Sequence, residues 1–227
     1  MPDPVTYELE GRIATITMDD GKVNVFSVPL LRLLHQAFDQ AESDGAVVVL
    51  TGRPQYFSAG FDLKVLAGAP SEIVEILTLG ATLAERVLSF PTPVVVACTG
   101  HAYPAGAFLL LCADLRIGAA GPFRIGLNEV RIGMTVPWFA IEIARQRLDP
   151  AHFDRTVVNA TMYDPDEAVT AGFLDRVVAP DALPVASLEA AAELAELDPV
   201  AHAATKLRAR AGSLRALRSA IEGELHL

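Results

Sequence analysis

Three short segments carry residues that could do chemistry, and the first runs from Tyr56 to Lys64. It reads Tyr-Phe-Ser-Ala-Gly-Phe-Asp-Leu-Lys and follows an apolar stretch that ends near Thr51. Small residues followed by Phe61 and a predicted helix start leave backbone N–H groups without partners. Such groups suit an anion or a developing oxyanion. An ordinary strand-to-helix turn has the same pattern, so this segment alone does not decide between the two.

The second segment, from Gly100 to Phe108, also lies between a predicted buried strand and a predicted helix. If the two segments follow neighbouring parallel strands, their N–H groups meet at the same end of the sheet. Because Pro104 has no N–H, a donor in this segment must come from Ala105 or Gly106. The two segments together are a stronger indication of a site than either one alone.

The third segment surrounds Glu129, which is the only carboxylate between Asp114 and Glu142. Apolar neighbours raise the pKa of a carboxyl group and allow it to exchange protons with a substrate. Glu129 could equally be a solvated loop residue, or pair with Arg124 or Arg131. The segment therefore offers one candidate acid/base group.

Alternating strands and helices position these segments. Residues 7–18 alternate around Gly11 and predict a β-hairpin. Short β-branched runs predict buried parallel strands, and leucines at helical spacing predict helices between them. The expected helices cover residues 29–42, 71–89 and 107–113, and Ser27 is the expected cap of the first. The expected strands cover residues 46–51, 94–98 and 115–118. The pattern predicts an α/β domain.

Beyond Pro137 the pattern becomes helical. Four prolines mark expected helix starts, because proline is favoured in the first turn: Pro150, Pro165, Pro184 and Pro199. The last 30 residues are rich in Ala, Leu and Arg and predict a helical appendage. Its apolar surface exceeds what a monomer of this size can cover, which predicts self-association as a homotrimer or as a hexamer made of two trimers.

Composition excludes several classes of function. The formal net charge of −10 argues against a general nucleic-acid or anionic-membrane surface. No apolar run approaches the ~20 residues of a membrane-spanning helix, and residues 1–4 have no secretory-signal pattern, so we expect a cytoplasmic protein. Cys98 and Cys112 lie in apolar runs without metal-ligand spacing, which predicts core thiols and no metal site.

Together the three segments resemble the enoyl-coenzyme A hydratase/isomerase (crotonase) superfamily over most of the chain. The resemblance implies a spiral of ββα turns in residues 1–195 and a C-terminal helical trimerisation region in residues 196–227. It also implies an acyl-coenzyme A (acyl-CoA) ligand whose thioester carbonyl lies between two backbone N–H groups. These would belong to Phe61 and to Ala105, with Gly106 as the alternate.

The resemblance also assigns the residues around the ligand. Lys22, Val23 and Val25 match the segment that meets coenzyme A, together with Ala59, and Lys64 matches a position near the nucleotide phosphates. Surface solubility would equally explain both lysines. No separate cofactor is implied, since coenzyme A is part of the substrate.

One departure from the hydratases bears on the reaction. Hydratases of this family hold a water between two glutamates, and Phe108 stands where the first would be. No Asp or Glu occurs from His101 through Ala113 to replace it. Glu129 matches the second, in a run similar to that of Δ3,Δ2-enoyl-CoA isomerases. His101 is a weaker candidate for a polar substitute.

A single glutamate suits an isomerase better than a hydratase. One base can remove an α-proton and return it at the γ-carbon, whereas hydration must also position and protonate water. Phe108, Trp138 and Phe139 would then line an apolar acyl pocket, although core packing explains such residues equally well. A non-catalytic acyl-CoA binder or carrier is the alternative, and the two hypotheses differ in whether Glu129 faces the carbonyl cavity.

Overall fold

A computed structural model describes residues 3–225 and contains a six-stranded main sheet. Its strands lie in the order β1-β2-β4-β7-β9-β12. They cover β1 Val5–Glu10, β2 Ile13–Met18, β4 Val47–Thr51, β7 Val94–Cys98, β9 Leu115–Ala119 and β12 Arg176–Val178. The first two strands form the expected antiparallel hairpin, and every later pairing in the sheet is parallel.

Short strands that follow the main strands along the chain form two smaller sheets. One has the order β11-β10-β8-β5, and the other pairs β3 with β6 in parallel. The strands are β3 Val25–Phe26, β5 Gln55–Ser58, β6 Gly60–Phe61, β8 Gly100–Ala102, β10 Ile125–Gly126 and β11 Met162–Tyr163. Each passage through a main strand, a short strand and a helix is one ββα turn, so the predicted α/β spiral is confirmed.

Helices complete each turn and form the C-terminal part. They are α1 Val28–Ser43, α2 Leu63–Leu66, α3 Pro70–Ser89, α4 Pro104–Cys112, α5 Trp138–Arg145, α6 Pro150–Val157, α7 Pro165–Ala171, α8 Leu183–Ala195, α9 Pro199–Ala209 and α10 Ala211–Leu225. Ser27 caps α1 as expected, and the predicted prolines stand in the first turns of α6 to α9. Helix α4 begins three residues earlier than predicted, because Pro104 is its first residue.

The main sheet buries both faces. One face packs on α1, α3 and α4, whereas the other carries Val47, Val49, Val95 and Ile117 beneath α8. Burial on both faces explains why the parallel strands read as continuous apolar runs. Cys98 and Cys112 are free thiols in this core, as expected.

The C-terminal helices pack back onto the chain's own core. Leu214, Leu217 and Ile221 of α10 are buried against α3 and α5. Lys206 of α9 is 6% exposed and donates to Asp114 Oδ2 at 2.6 Å. Arg210 reaches Asp114 Oδ1 at 2.9 Å, so two cations hold one carboxylate at this junction.

The described part of the chain has neither a helix that could span a membrane nor a cluster of side chains that could hold a metal ion. Within residues 3–225 no helix is long and apolar enough to cross a membrane. The same residues contain no group of three His, Cys, Asp or Glu side chains arranged to hold a metal ion. The structure does not describe Met1 and Pro2, which belong to the N-terminal residues expected to lack a secretory signal. It also does not describe His226 and Leu227 of the expected helical appendage.

Candidate active site

The first two candidate segments meet at Gly60. This residue adopts φ +85°, a left-handed conformation that glycine tolerates without strain. A Cβ atom added to Gly60 would lie 3.4 Å from the backbone nitrogen of Ala105. The turn that carries Phe61 therefore lies directly against the first turn of α4, as the sequence predicted for two turns at the same sheet end.

Ala105 lies in the first turn of α4, where a backbone N–H has no acceptor within the helix. The first i to i−4 bond of that helix runs from Ala107 N to Tyr103 O at 2.9 Å. Gly106 also lies in the first turn, but it packs on Ser58, where an added Cβ would lie 2.8 Å from the Ser58 Cβ. Of the two candidate donors, Ala105 is the one beside Gly60.

The side chain of Phe61 fixes its own backbone from the opposite side. Its ring is half-buried and meets Phe26 edge to face, with ring centres 6.4 Å apart. The ring occupies space left by Gly80 of α3, since a Cβ there would overlap it. Phe61 pairs with Phe26 in the β3–β6 ladder, so side-chain packing and strand pairing both hold this N–H in place.

Sequence reasoning missed the polar residues that hold the first segment. Asn24 is fully buried at φ 52°, and its side-chain amide donates to the carbonyls of Met18, Tyr56 and Phe57. Ser58 Oγ donates to Asn24 O at 2.7 Å and accepts from Gly60 N at 3.1 Å. The signal was present in the sequence, because Asn tolerates the left-handed region and hydrogen-bonds to nearby backbone.

A cavity of about 150 Å³ opens beside this junction. The turn residues 59–61 and Pro104 form one wall. The opposite side is formed by Asn128, Glu129, Ile132, Met134 and Pro137 of the third segment. The three segments singled out in the sequence therefore surround a single cavity.

Glu129 is the one titratable carboxyl group in the described lining of this cavity. It is 5% exposed, and burial raises its pKa from 4.5 to about 7, although its own backbone N–H opposes the rise. Its Oε2 is buried without a hydrogen-bond partner among the described residues. Among the described residues Glu129 forms no ion pair with Arg124 or Arg131, and Arg131 Nε instead donates to Ala160 O. Glu129 can therefore exchange a proton near neutral pH.

The aromatic residues proposed for the acyl pocket lie in three different places. Phe108 is 4% exposed and lines the cavity, among the leucines Leu63, Leu66 and Leu77. Phe139 is buried beneath it and lines only a very small void in the core. Trp138 is 65% exposed at the start of α5. Of the three, only Phe108 is part of the cavity wall.

His101 lies away from the cavity. Its Nδ1 accepts the Arg124 N–H at 3.0 Å, and its ring stacks on Tyr103 with ring centres 5.7 Å apart. Burial lowers the pKa of His101, with the Arg124 charge acting in the same direction. His101 does not line the cavity, so the proposed polar substitute is not positioned to act there.

The residues proposed to meet coenzyme A border the first segment. Ala59 lines the cavity, whereas Lys22 and Lys64 are exposed and Val23 and Val25 are half-buried beside it. The Val23 carbonyl accepts the Ala59 N–H at 2.9 Å, which ties the two segments together. The two lysines are available to a ligand that extends out of the cavity.

Known proteins share both the sequence and the fold. The enoyl-CoA hydratase/isomerase family profile matches residues 8–227. A Pseudomonas syringae structure described as an enoyl-CoA hydratase/isomerase family protein is 48% identical over 98% of this chain and 97% of its own, with a TM-score of 0.96.

Two further structures carry different names. A Mycobacterium ulcerans enoyl-CoA hydratase is 44% identical over 97% of each chain, with a TM-score of 0.95. A Mycobacterium tuberculosis enoyl-CoA isomerase is 45% identical over 98% of each chain, with a TM-score of 0.94. The chain is about equally identical to a protein named a hydratase and to one named an isomerase. Sequence identity therefore does not decide between the two reactions, and the residues of the cavity must be considered.

Proposed function

The chain belongs to the enoyl-CoA hydratase/isomerase family, and we propose that it isomerises an enoyl-CoA thioester with Glu129 as its single acid/base group. The observation that carries this proposal is the position of Glu129. It lines the cavity at the junction of Gly60 and Ala105, and the pKa of its carboxyl group is raised to about 7. A base with a pKa near the working pH takes and returns a proton most readily.

Backbone N–H groups supply the second part of the proposed mechanism. Removal of an α-proton from a thioester moves negative charge onto the carbonyl oxygen. The N–H groups of Phe61 and Ala105 would donate to that oxygen and stabilise the enolate, a contribution of about 3–4 kcal/mol per donor in acyl-transfer enzymes. The backbone and packing around Gly60 fix these donors before substrate binds.

Phe108 supports isomerisation over hydration. It occupies the cavity wall where a hydratase would place the first of its two glutamates, and the described lining has no acid besides Glu129 that could position water. Returning the proton at the γ-carbon needs only the protonated Glu129. An apolar wall also excludes water, which strengthens the hydrogen bonds to the enolate.

A non-catalytic acyl-CoA carrier is the second candidate, because loss of an acid at Phe108 would fit that role as well. A carrier would not need a buried carboxyl group in the cavity wall. Burial of an oxygen without a hydrogen-bond partner costs folding free energy, and a non-catalytic role does not explain that cost. Glu129 therefore favours catalysis.

The proposal is tested by assaying the wild-type chain with 3-hexenoyl-CoA and with crotonyl-CoA. We expect conversion of 3-hexenoyl-CoA to 2-hexenoyl-CoA, and hydration of crotonyl-CoA that is slower by a factor of about 10²–10⁴, the contribution of a general acid–base group. Hydration as fast as isomerisation would contradict the single-glutamate mechanism. Binding of both thioesters without turnover would favour the carrier.

Two properties outside the reaction are part of the proposal. Exposed apolar side chains on and near α9, including Val200 at 77% and Leu207 at 45%, support self-association as a trimer or hexamer. The protein is proposed to act in the cytoplasm, without a cofactor beyond the coenzyme A of its substrate. Sedimentation as a monomer at micromolar concentration would contradict the self-association.

A further inference from the structure

A second and larger cavity lies on the opposite face of the main sheet from the helices α1, α3 and α4. It has a volume of about 570 Å³ and lies between the sheet and the first half of α8. Its floor comprises the ends of four main strands, and Leu183, Pro184 and Leu188 of α8 form its roof. Ligand pockets in proteins span about 300–1,000 Å³, so this space is of a size that holds a small molecule.

The floor of this cavity departs from the pattern of the rest of the face. Where α8 lies close, the sheet presents Val47 and Val95 to the small residues Ala190 and Ala191. Further along the strands the register places Thr17 beside Thr51, and Thr15 beside Val49. The surface under the first half of α8 is therefore mixed, with hydroxyl groups set into an apolar floor.

The threonine hydroxyl groups of this cavity differ in their partners. Thr99 Oγ1 is buried without a hydrogen-bond partner among the described residues. Thr15 and Thr17 are half-buried, and no hydrogen bond of their hydroxyl groups occurs within residues 3–225. Thr51 Oγ1 donates to Ala97 O at 3.3 Å and to Gly52 O at 3.5 Å. A buried hydroxyl without a partner, such as that of Thr99, costs about 1–3 kcal/mol, and a ligand that bonds to it removes this cost.

Charge is absent from the walls. No Asp, Glu, Lys, Arg or His occurs among the described residues that line the cavity. A charged ligand would lose its hydration there without gaining an ion pair, which is strongly unfavourable. A charged group inside the cavity is therefore disfavoured, and the lining favours an uncharged molecule.

Close backbone contacts lie at the edge of this cavity. A Cβ atom added to Gly52 would lie 2.5 Å from Tyr56 O, so the chain turns tightly after β4. Gly100 pairs with Gln55 in the β5–β8 ladder, and a Cβ atom added to Gly100 would overlap Gln55. The tight turn and the strand pairing hold the edge of the cavity in place without a ligand.

From these observations we infer that the cavity under α8 is a binding site for an uncharged, mostly apolar small molecule with one or two hydrogen-bonding groups. The apolar body packs on Val49, Ala97 and Leu188, and the polar groups bond to Thr17 and Thr99. This site is separate from the cavity that contains Glu129, and it does not depend on the proposed reaction.

Two dyes with the same aromatic skeleton test the inference. N-phenyl-1-naphthylamine is uncharged, whereas 1-anilinonaphthalene-8-sulfonate adds a negative charge. Titration of the full chain, followed by fluorescence, should show one site per chain for the uncharged dye and at least tenfold weaker binding of the sulfonate. Butyryl-CoA should not displace the uncharged dye. Equal binding of the two dyes, or displacement by butyryl-CoA, would overturn the proposal.

Variants on α8 locate the site. Leu188→Trp should weaken binding of the uncharged dye at least tenfold, because the larger side chain enters the cavity. Val185→Trp is the matched control, since Val185 is 59% exposed on the same helix and does not line the cavity. Unchanged binding in Leu188→Trp, or an equal loss in both variants, would refute the site.

A second pair of variants keeps the test valid if a tryptophan on α8 disturbs folding. Ala97→Leu fills the floor from the sheet and should also weaken binding tenfold. Thr99→Val removes one hydroxyl at nearly constant volume and should weaken binding about three- to tenfold. Sedimentation of each variant serves as a further control. Loss of assembly in Leu188→Trp and Ala97→Leu would show that a second copy of the chain covers this face, and would overturn the proposal.

Discussion

Asp114 and Glu129 are carboxylates with little solvent exposure, and Asp114 keeps 13% of its side chain exposed, but their surroundings are opposite. Asp114 accepts hydrogen bonds from Lys206 and from Val94 N at 2.6 and 2.7 Å, and Arg210 lies 2.9 Å away. Glu129 has a buried Oε2 with no partner among the described residues. One carboxylate is balanced by two cations, and the other has none close enough to form an ion pair.

The difference shows how one chain uses the same functional group for structure and for chemistry. Asp114 joins β7, β9 and the C-terminal helices through its contacts with Val94, Lys206 and Arg210. Glu129 gains its reactivity from the absence of such neighbours, because burial without a partner raises its pKa into the neutral range. The next three predictions test this contrast, from the largest expected effect to the smallest.

Asp114→Asn should destabilise the protein most. The variant leaves the buried Lys206 and the half-buried Arg210 without this counter-ion, since their side chains are 3% and 17% exposed. Breaking a buried ion pair from one side costs about 3–5 kcal/mol, measured as the free energy of unfolding in urea. Glu75→Gln is the matched control, because it breaks an exposed pair with Arg32 and should cost less than about 1 kcal/mol. Equal effects of the two variants would contradict a structural role for Asp114.

Glu129→Gln should have the opposite sign and stabilise the protein at pH 8. The folded state holds the Glu129 proton more tightly than the unfolded chain, so the wild type loses stability as the pH rises from 4.5 to about 7. This loss amounts to about 3 kcal/mol, and the glutamine variant avoids it. The two proteins should be equally stable near pH 4.5. Unfolding in urea at both pH values measures the difference, and a variant less stable than wild type at pH 8 would disprove an uncompensated carboxylate.

The pH dependence of catalysis should follow the same group. If Glu129 acts as the base, kcat/KM falls about tenfold per pH unit below pH 7 and is level above it, because only the ionised form accepts a proton. The profile is measured with 3-hexenoyl-CoA between pH 5 and 9. A value of kcat/KM that stays level down to pH 5 would show that the base is another group, or a carboxyl group with an ordinary pKa.

The sequence predicted the parts of the site that are encoded locally. The Gly60 turn, the turn that contains Pro104 and the isolated Glu129 each have a sequence pattern within about ten residues, and their meeting follows from the parallel strands, although α4 begins three residues before the predicted start. Phe108 was assigned to an acyl pocket from the family resemblance instead, and it lines the cavity.

Long-range partners could not be read in this way. The contact of Lys206 with Asp114 spans 92 residues, and Asp114 carries no local mark of its two cations. The exposure of Trp138 depends on how α5 packs on α10. This packing cannot be predicted from the apolar pattern of the sequence around Trp138. The cavity under α8 depends on how α8 packs on the sheet, and α8 begins 64 residues after β9, the last main strand in the cavity floor.

The most direct test of the central claim is exchange of the α-protons of butyryl-CoA with deuterated water, which needs only a base and a stabilised enolate. Wild-type protein should catalyse the exchange, and Glu129→Gln should lose it by a factor of about 10²–10⁴ while binding butyryl-CoA with nearly unchanged affinity. Binding is preserved because the amide keeps the shape of the side chain and the donors at Phe61 and Ala105 are backbone groups. Mass spectrometry of the recovered thioester measures the deuterium. Exchange by the variant at the wild-type rate would contradict the assignment of Glu129 as the base.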